Sequence, residues 1–158
     1  MENILRIASG EEVRDRPNSH LHNGIVSLLP EALLSIEAKG RNFIVEEIDM
    51  GRIIGETICV ATRPSDTVVY AKRPKRFGLT RFVKDRQAEP CQSVVVILKK
   101  AEDANVFILI TAFVGSMAEP EPWDRNATKK SYDFWNSHAL VWGKEEIITG
   151  TETTRCPW

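Results

Sequence analysis

The chain has 158 residues, 42% of them apolar, with 21 Lys and Arg against 22 Asp and Glu for a formal net charge of −1. That length buries a real core within one domain, 1–158, and that composition excludes a disordered chain. No apolar run approaches the roughly 20 residues of a membrane span.

The N-terminus, MENILRIASGEEVRDRPNSH, carries charges where a signal peptide has its apolar region, which predicts action in the cytoplasm. The three cysteines, Cys59, Cys91 and Cys156, are widely spaced and form no CxxC, so neither a zinc knuckle nor a redox motif is supported. Cys59 lies in an apolar strand pattern and reads as a small core residue. Residues 1–22 read as an irregular polar arm with a short strand at Ile4–Ile7. His20 and His22 alternate there, but no Cys or third His stands nearby to complete a metal site.

The first strong element is a helix over 27–39. Ser27 is placed to cap it, Pro30 falls in its first turn, and Gly40 ends it. Leu29, Ala32, Leu33 and Ile36 form its apolar stripe. From Phe43 the period changes to two. Strands are expected at Phe43–Asp49, Ile53–Ala61, Thr67–Lys72, Leu79–Val83, Ser93–Lys99 and Val106–Val114, separated by turn signals. The last two are apolar on both faces, the mark of central strands, and the short polar loop between them predicts an antiparallel hairpin. A second helix is expected over 128–138 with Thr128 as its cap. It carries Tyr132, Trp135 and Ala139 on one stripe, and Phe134 and His138 on another. Residues 143–158 read as a polar tail. With no βαβ spacing after residue 40, the predicted fold is α+β: an N-terminal helix packed on an antiparallel meander of five or six strands, with a C-terminal helix.

Against this near-neutral background, residues 67–86 (TVVYAKRPKRFGLTRFVKDR) are strongly basic. Seven of the twenty are Lys or Arg, and only Asp85 opposes them. Basic side chains interleaved with Tyr70, Phe77 and Phe82 suit a phosphate-bearing or single-stranded nucleic-acid partner. The same pattern also serves a solvated hairpin tip whose charges keep a sheet edge soluble.

No GxxxxGK, GxGxxG, GxSxG or HExxH occurs, so cofactor enzymes and most nucleophilic hydrolases lose support, and no cofactor is expected. A basic cluster, three histidines, a few carboxylates and Thr111 suffice for metal-independent cleavage of RNA. There the 2′-hydroxyl attacks its own phosphate, and the protein supplies a base, an acid and cations. Lys72, Arg73, Arg76 and Arg81 supply charge, and Thr111 a hydrogen bond. His20, His22, His138 and Glu47 are the candidate proton carriers. Strand alternation places Thr111 beside Leu109 and Phe113, which equally describes a buried strand threonine.

The helix followed by strands, the basic RPKRFGLTRF and the late strand ending ITAF resemble the barnase, EndoU, colicin and RelE superfamily of ribonuclease toxins, over about residues 27–114. In several of those families the last core strand carries a Thr, one residue, then an aromatic, matched here by Thr111 and Phe113. Basic residues on the middle strands match Arg73, Arg76 and Arg81. The resemblance implies a toxin-type endoribonuclease with Arg73, Arg76, Arg81, Thr111 and His138 in catalysis. Lys72, Lys75, Phe82 and Phe113 would lie on the RNA, and a cognate antitoxin or immunity protein would be the protein partner. Those families usually place a catalytic His on the sheet. Here no His falls between residues 23 and 137, so either His138 folds back from the second helix to take that role or the role is absent. The competing expectation is a non-enzymatic binding protein, such as an antitoxin, immunity protein or phage-encoded regulator, using the basic turn. A pocket for a small anion under the EPEPWD loop is a third.

Overall fold

The computed structural model describes residues 4–15, 23–102 and 105–158. The arm histidines His20 and His22 lie outside the described residues. The chain divides into two compact units, residues 1–55 with 90–117, and residues 56–89 with 118–158. Among the described residues both are built mostly of strands, and each carries one helix.

In the first unit, β1 (Leu5–Arg6), β2 (Glu12–Asp15), β3 (Phe43–Asp49), β9 (Ser93–Lys100) and β10 (Val106–Val114) form a sheet of order β1-β2-β10-β9-β3. The two strands apolar on both faces, β9 and β10, are central and pair antiparallel as the hairpin predicts. Helix α1 (Asn23–Leu33) packs against β1, β9 and β10. Ile25, Leu29, Ala32 and Leu33 meet Ile44, Val94, Val96, Leu98, Phe107 and Leu109 in one core.

The second unit is organised on β5 (Cys59–Ala61), β6 (Thr67–Lys72), β7 (Leu79–Lys84) and β11 (His138–Val141), in the order β5-β11-β7-β6. Helix α2 (Lys129–Ser137) begins at Thr128, whose N–H donates to Ser131 Oγ at 3.0 Å. Trp135 from this helix packs with Val69, Ala71, Phe82 and Leu140. Two short strands, β4 (Gly55–Thr57) and β8 (Glu89–Cys91), pair with each other.

Several expectations are corrected. The strands do not form an antiparallel meander. They form mixed sheets, because β2 pairs parallel with β10 and β11 pairs parallel with β7. Residue 138, expected to end the second helix, opens strand β11. His138 instead adopts an extended backbone (φ −132°, ψ 154°), and the apolar HALV slots between β5 and β7. The strand expected over Ile53–Ala61 is broken into β4 and β5.

The N-terminal helix is shifted as well. It ends at Leu33 rather than residue 39, with Pro30 inside it, and Ser27 Oγ donates back to the Gly24 carbonyl at 2.9 Å instead of capping. The apolar stripe nevertheless continues into Ile36 and Ala38, both buried. The backbone there bonds elsewhere: the Ile36 carbonyl accepts from Ala8 N–H at 2.8 Å, and Ala38 N–H donates to Ser9 Oγ at 3.0 Å. A carbonyl so engaged by a distant segment does not propagate a helix.

The register of β10 also departs from simple alternation. Leu109 faces Leu98, but Thr111 faces Ile97, so one residue, Ile110, is bulged out. Core contacts accordingly switch from Phe107 and Leu109 to Ala112 and Val114. A bulge of one residue reverses which side chains face the core. Thr111 and Phe113 therefore stand on the opposite face from Leu109.

Candidate nucleic-acid interface

The basic stretch spans β6, the turn after it, and β7. Its cations fall into two groups. Those on β7, and those just beyond the ends of β6 and β7, are held by partners. Arg73 Nη2 donates to Glu121 Oε2 at 2.8 Å and its Nε to Thr80 Oγ1 at 3.1 Å. Both charged side chains are largely buried, at 15% and 9% exposure. Arg86 donates to Asp66 at 2.8 Å and to Glu89 at 3.0 Å. The Arg63 N–H, and then Arg86, hold the Asp66 carboxyl below its ordinary range. Arg81 Nη1 donates to Thr62 Oγ1 and to the His138 carbonyl, both at 3.0 Å. Lys84 Nζ lies 5.0 Å from the centre of the Trp142 ring.

The turn is different. Lys75 and Arg76 are exposed, and among the described residues the Arg76 side chain donates only to the Pro74 carbonyl, at 3.4 Å. Phe77 beside them is 93% exposed, an extreme value for an aromatic ring. Lys75 has φ +63°, the left-handed conformation that turns the chain back towards β7. Gly78 follows, and a Cβ there would lie 2.4 Å from Trp123, so only glycine lets the indole sit against the turn.

Trp123 joins this turn to the loop before α2. Its ring meets Phe77 edge-on at 6.5 Å between centroids. Between them opens a cavity of about 450 Å³, lined also by Asp124, Arg125 and Asn126. A second cavity of about 340 Å³ lies among Trp123, Tyr132, Trp158, Pro122 and Pro157. The Trp123 Nε1–H is enclosed and, among the described residues, has no hydrogen-bond partner. Leaving such a donor unmet costs about 1–3 kcal/mol.

The C-terminal segment is no free tail. Thr153 and Tyr70 exchange two backbone hydrogen bonds, at 2.7 and 2.8 Å, along the outer edge of β6. Trp158 stacks edge-on against Tyr70 at 5.3 Å, and its Nε1 donates to Asn136 Oδ1 at 2.9 Å. Burial raises the Tyr70 phenol above its ordinary range. In the same unit, burial and then the charge of Glu121 push the Cys59 thiol up to about 11.

The expected site residues thus scatter over the two units. Arg73, Arg76, Arg81 and His138 belong to the second, Thr111 and Phe113 to the first. Glu47, a candidate proton carrier of the first unit, accepts the Met117 N–H at 2.8 Å. Phe82 is fully buried in its core and presents no ring to a ligand. His138 lies flat on Phe134, with centroids 4.1 Å apart, and its Nδ1 sits 3.1 Å from the Phe134 carbonyl. Lys72 joins the edge through its backbone, accepting from Ile148 N–H and donating to Thr151 Oγ1. Sequence reasoning singled out the basic turn but not Trp123, Arg125, Tyr132 or Trp158 as companions to Phe77. For Trp123 and Arg125 the only signal was the loop EPEPWDR before the second helix, and nothing local links Tyr132 or Trp158 to it. Among the described residues no group of His, Cys, Asp and Glu converges as metal ligands, and no helix is long and apolar enough to cross a membrane. Comparison with protein-family models, with curated proteins and with solved structures returned no match.

Proposed function

We propose that the second unit is a binding module for single-stranded RNA, engaged through the turn Lys75–Gly78 and the loop carrying Trp123 and Arg125. The observation that carries this reading is Phe77: a ring 93% exposed, between exposed cations and beside a second aromatic. Exposed rings stack on bases irrespective of sequence, and flanking Lys and Arg neutralise the phosphates between them. Arg73 and Arg86, already paired with carboxylates, contribute to the fold instead.

Cleavage of the bound RNA is a second reading, favoured by Arg81. Among the described residues this guanidinium forms no ion pair and meets neutral oxygens, Thr62 Oγ1 and the His138 carbonyl, leaving its charge for a phosphate. A toxin-type endoribonuclease would use it to stabilise the pentavalent phosphate.

Fluorescence anisotropy with a labelled eight-nucleotide RNA, and an RNA duplex as control, tests the first reading. Single-strand binding that falls with salt supports it. Equal affinity for the duplex, or no binding, overturns it and moves a protein partner such as an antitoxin or immunity protein to the front. Incubating the same RNA in EDTA tests the second. Products ending in a 2′,3′-cyclic phosphate support cleavage, and intact RNA removes it.

A further inference from the structure

Two cavities share one ring. Trp123 borders the space beside Phe77 and also the space closed by Tyr132 and Trp158. Gly78 holds this indole in place, because any side chain there would collide with it. The spacing of the two cavities is therefore set by a single, tightly seated residue. Both volumes lie within the range of small-ligand sites.

The two spaces differ in chemistry. The first offers Asp124, Arg125 and Asn126 beside the aromatic rings. Asp124 Oδ1 accepts the Asn126 N–H at 2.8 Å, and Oδ2 has no partner among the described residues. The second is walled by rings and prolines, with no charged side chain in its lining. Base edges are read by hydrogen bonds, whereas base faces are accepted by any ring.

We propose that the surface takes two successive nucleotides of a single strand, one base on each side of Trp123, and that only the base beside Phe77 is read for identity. This rests on the RNA-binding reading above and extends it to site size and specificity. The base in the second cavity packs between Trp123, Tyr132 and Trp158 without discrimination. Arg125, with Arg76 and Lys75 on the turn, takes the phosphates. Two bases parted by an indole are unstacked from each other, which a single strand allows and a duplex resists.

The test uses the full chain and a labelled eight-nucleotide RNA in which abasic sites and base changes are walked along the strand. The expected result is two adjacent positions sensitive to base removal, only one of them also sensitive to base identity. Phe77→Ala and Tyr132→Ala should each weaken binding by roughly five- to 150-fold, as loss of one stacking partner does. Tyr132 is 41% exposed, and Tyr132→Phe, which keeps the ring, should bind normally and so separate stacking from folding. Asn126→Ala should flatten the base preference while leaving the sensitivity to base removal at both positions. Binding with only one sensitive position, or a Tyr132→Ala variant indistinguishable from the parent, overturns the two-base site while leaving RNA binding intact. Absence of any RNA binding overturns both.

Discussion

Arg73 and Glu121 form an ion pair at 2.8 Å with both side chains largely removed from solvent. The contact links the end of β6 to the loop that carries Trp123, so an arginine that reads as a phosphate ligand fastens one wall of the candidate interface. Removing one member of such a pair strands a charge in a poorly solvated place. Arg73→Ala should therefore lower stability by about 3–5 kcal/mol. The double variant Arg73→Met, Glu121→Leu should lower it much less. Urea unfolding of the parent, the singles and the double measures this, and additive losses would show the pair to be uncoupled.

Phe77 should behave in the opposite way. Its ring is almost wholly in solvent, so Phe77→Ala should shift the urea midpoint little. Its effect belongs to binding, about 1–3 kcal/mol for a lost stacking partner. A variant that melts early while binding RNA normally would reassign Phe77 to the fold.

The charges at the rim should act through counterions. Three exposed cations, Lys75, Arg76 and Arg125, predict a slope of log affinity against log salt near −2, at about −0.7 for each single-strand phosphate neutralised. Arg76→Glu and Arg125→Glu should each reduce affinity and flatten that slope without changing thermal stability. An unchanged slope in both would move the phosphates elsewhere on the surface.

Cys59 offers a pH-dependent probe of the second unit. Its thiol is pushed up to about 11 by burial and by Glu121, so it stays protonated where an ordinary thiol ionises. The exposed Cys156 should alkylate readily near pH 8, while Cys59 should resist. The sign for stability follows. A thiol with a raised folded pKa favours the folded state below its unfolded pKa, and that contribution is lost as pH rises from the ordinary thiol range to about 11. Cys59→Ala should remove this alkaline loss. Equal labelling of both thiols at pH 8 would contradict the burial of Cys59.

Much of the local structure is written in the chain, and the reason is proximity. The strand pattern over 67–72, the apolar run over 106–114 and the Thr128 start of the second helix depend on neighbours a few residues away, and those elements stand where the pattern puts them. So does the central position of β9 and β10, because strands apolar on both faces find cover only inside a sheet. The basic, aromatic character of the turn at 72–82 is equally a property of sequence.

Tertiary structure alone decided the rest. The parallel pairings of β2 with β10 and of β11 with β7 join strands far apart in the chain, and no local period specifies them. The bulge at Ile110 depends on how β10 registers with β9, and it turns Thr111 and Phe113 away from the face that carries Leu109. Arg73 and Arg76, three residues apart, look alike in sequence, yet Arg73 found Glu121 at a separation of 48 residues while Arg76 stayed in solvent. A charge declares its sign locally. Whether that charge is spent on the fold or offered to a partner depends on which distant carboxylate the folded chain brings within hydrogen-bond reach.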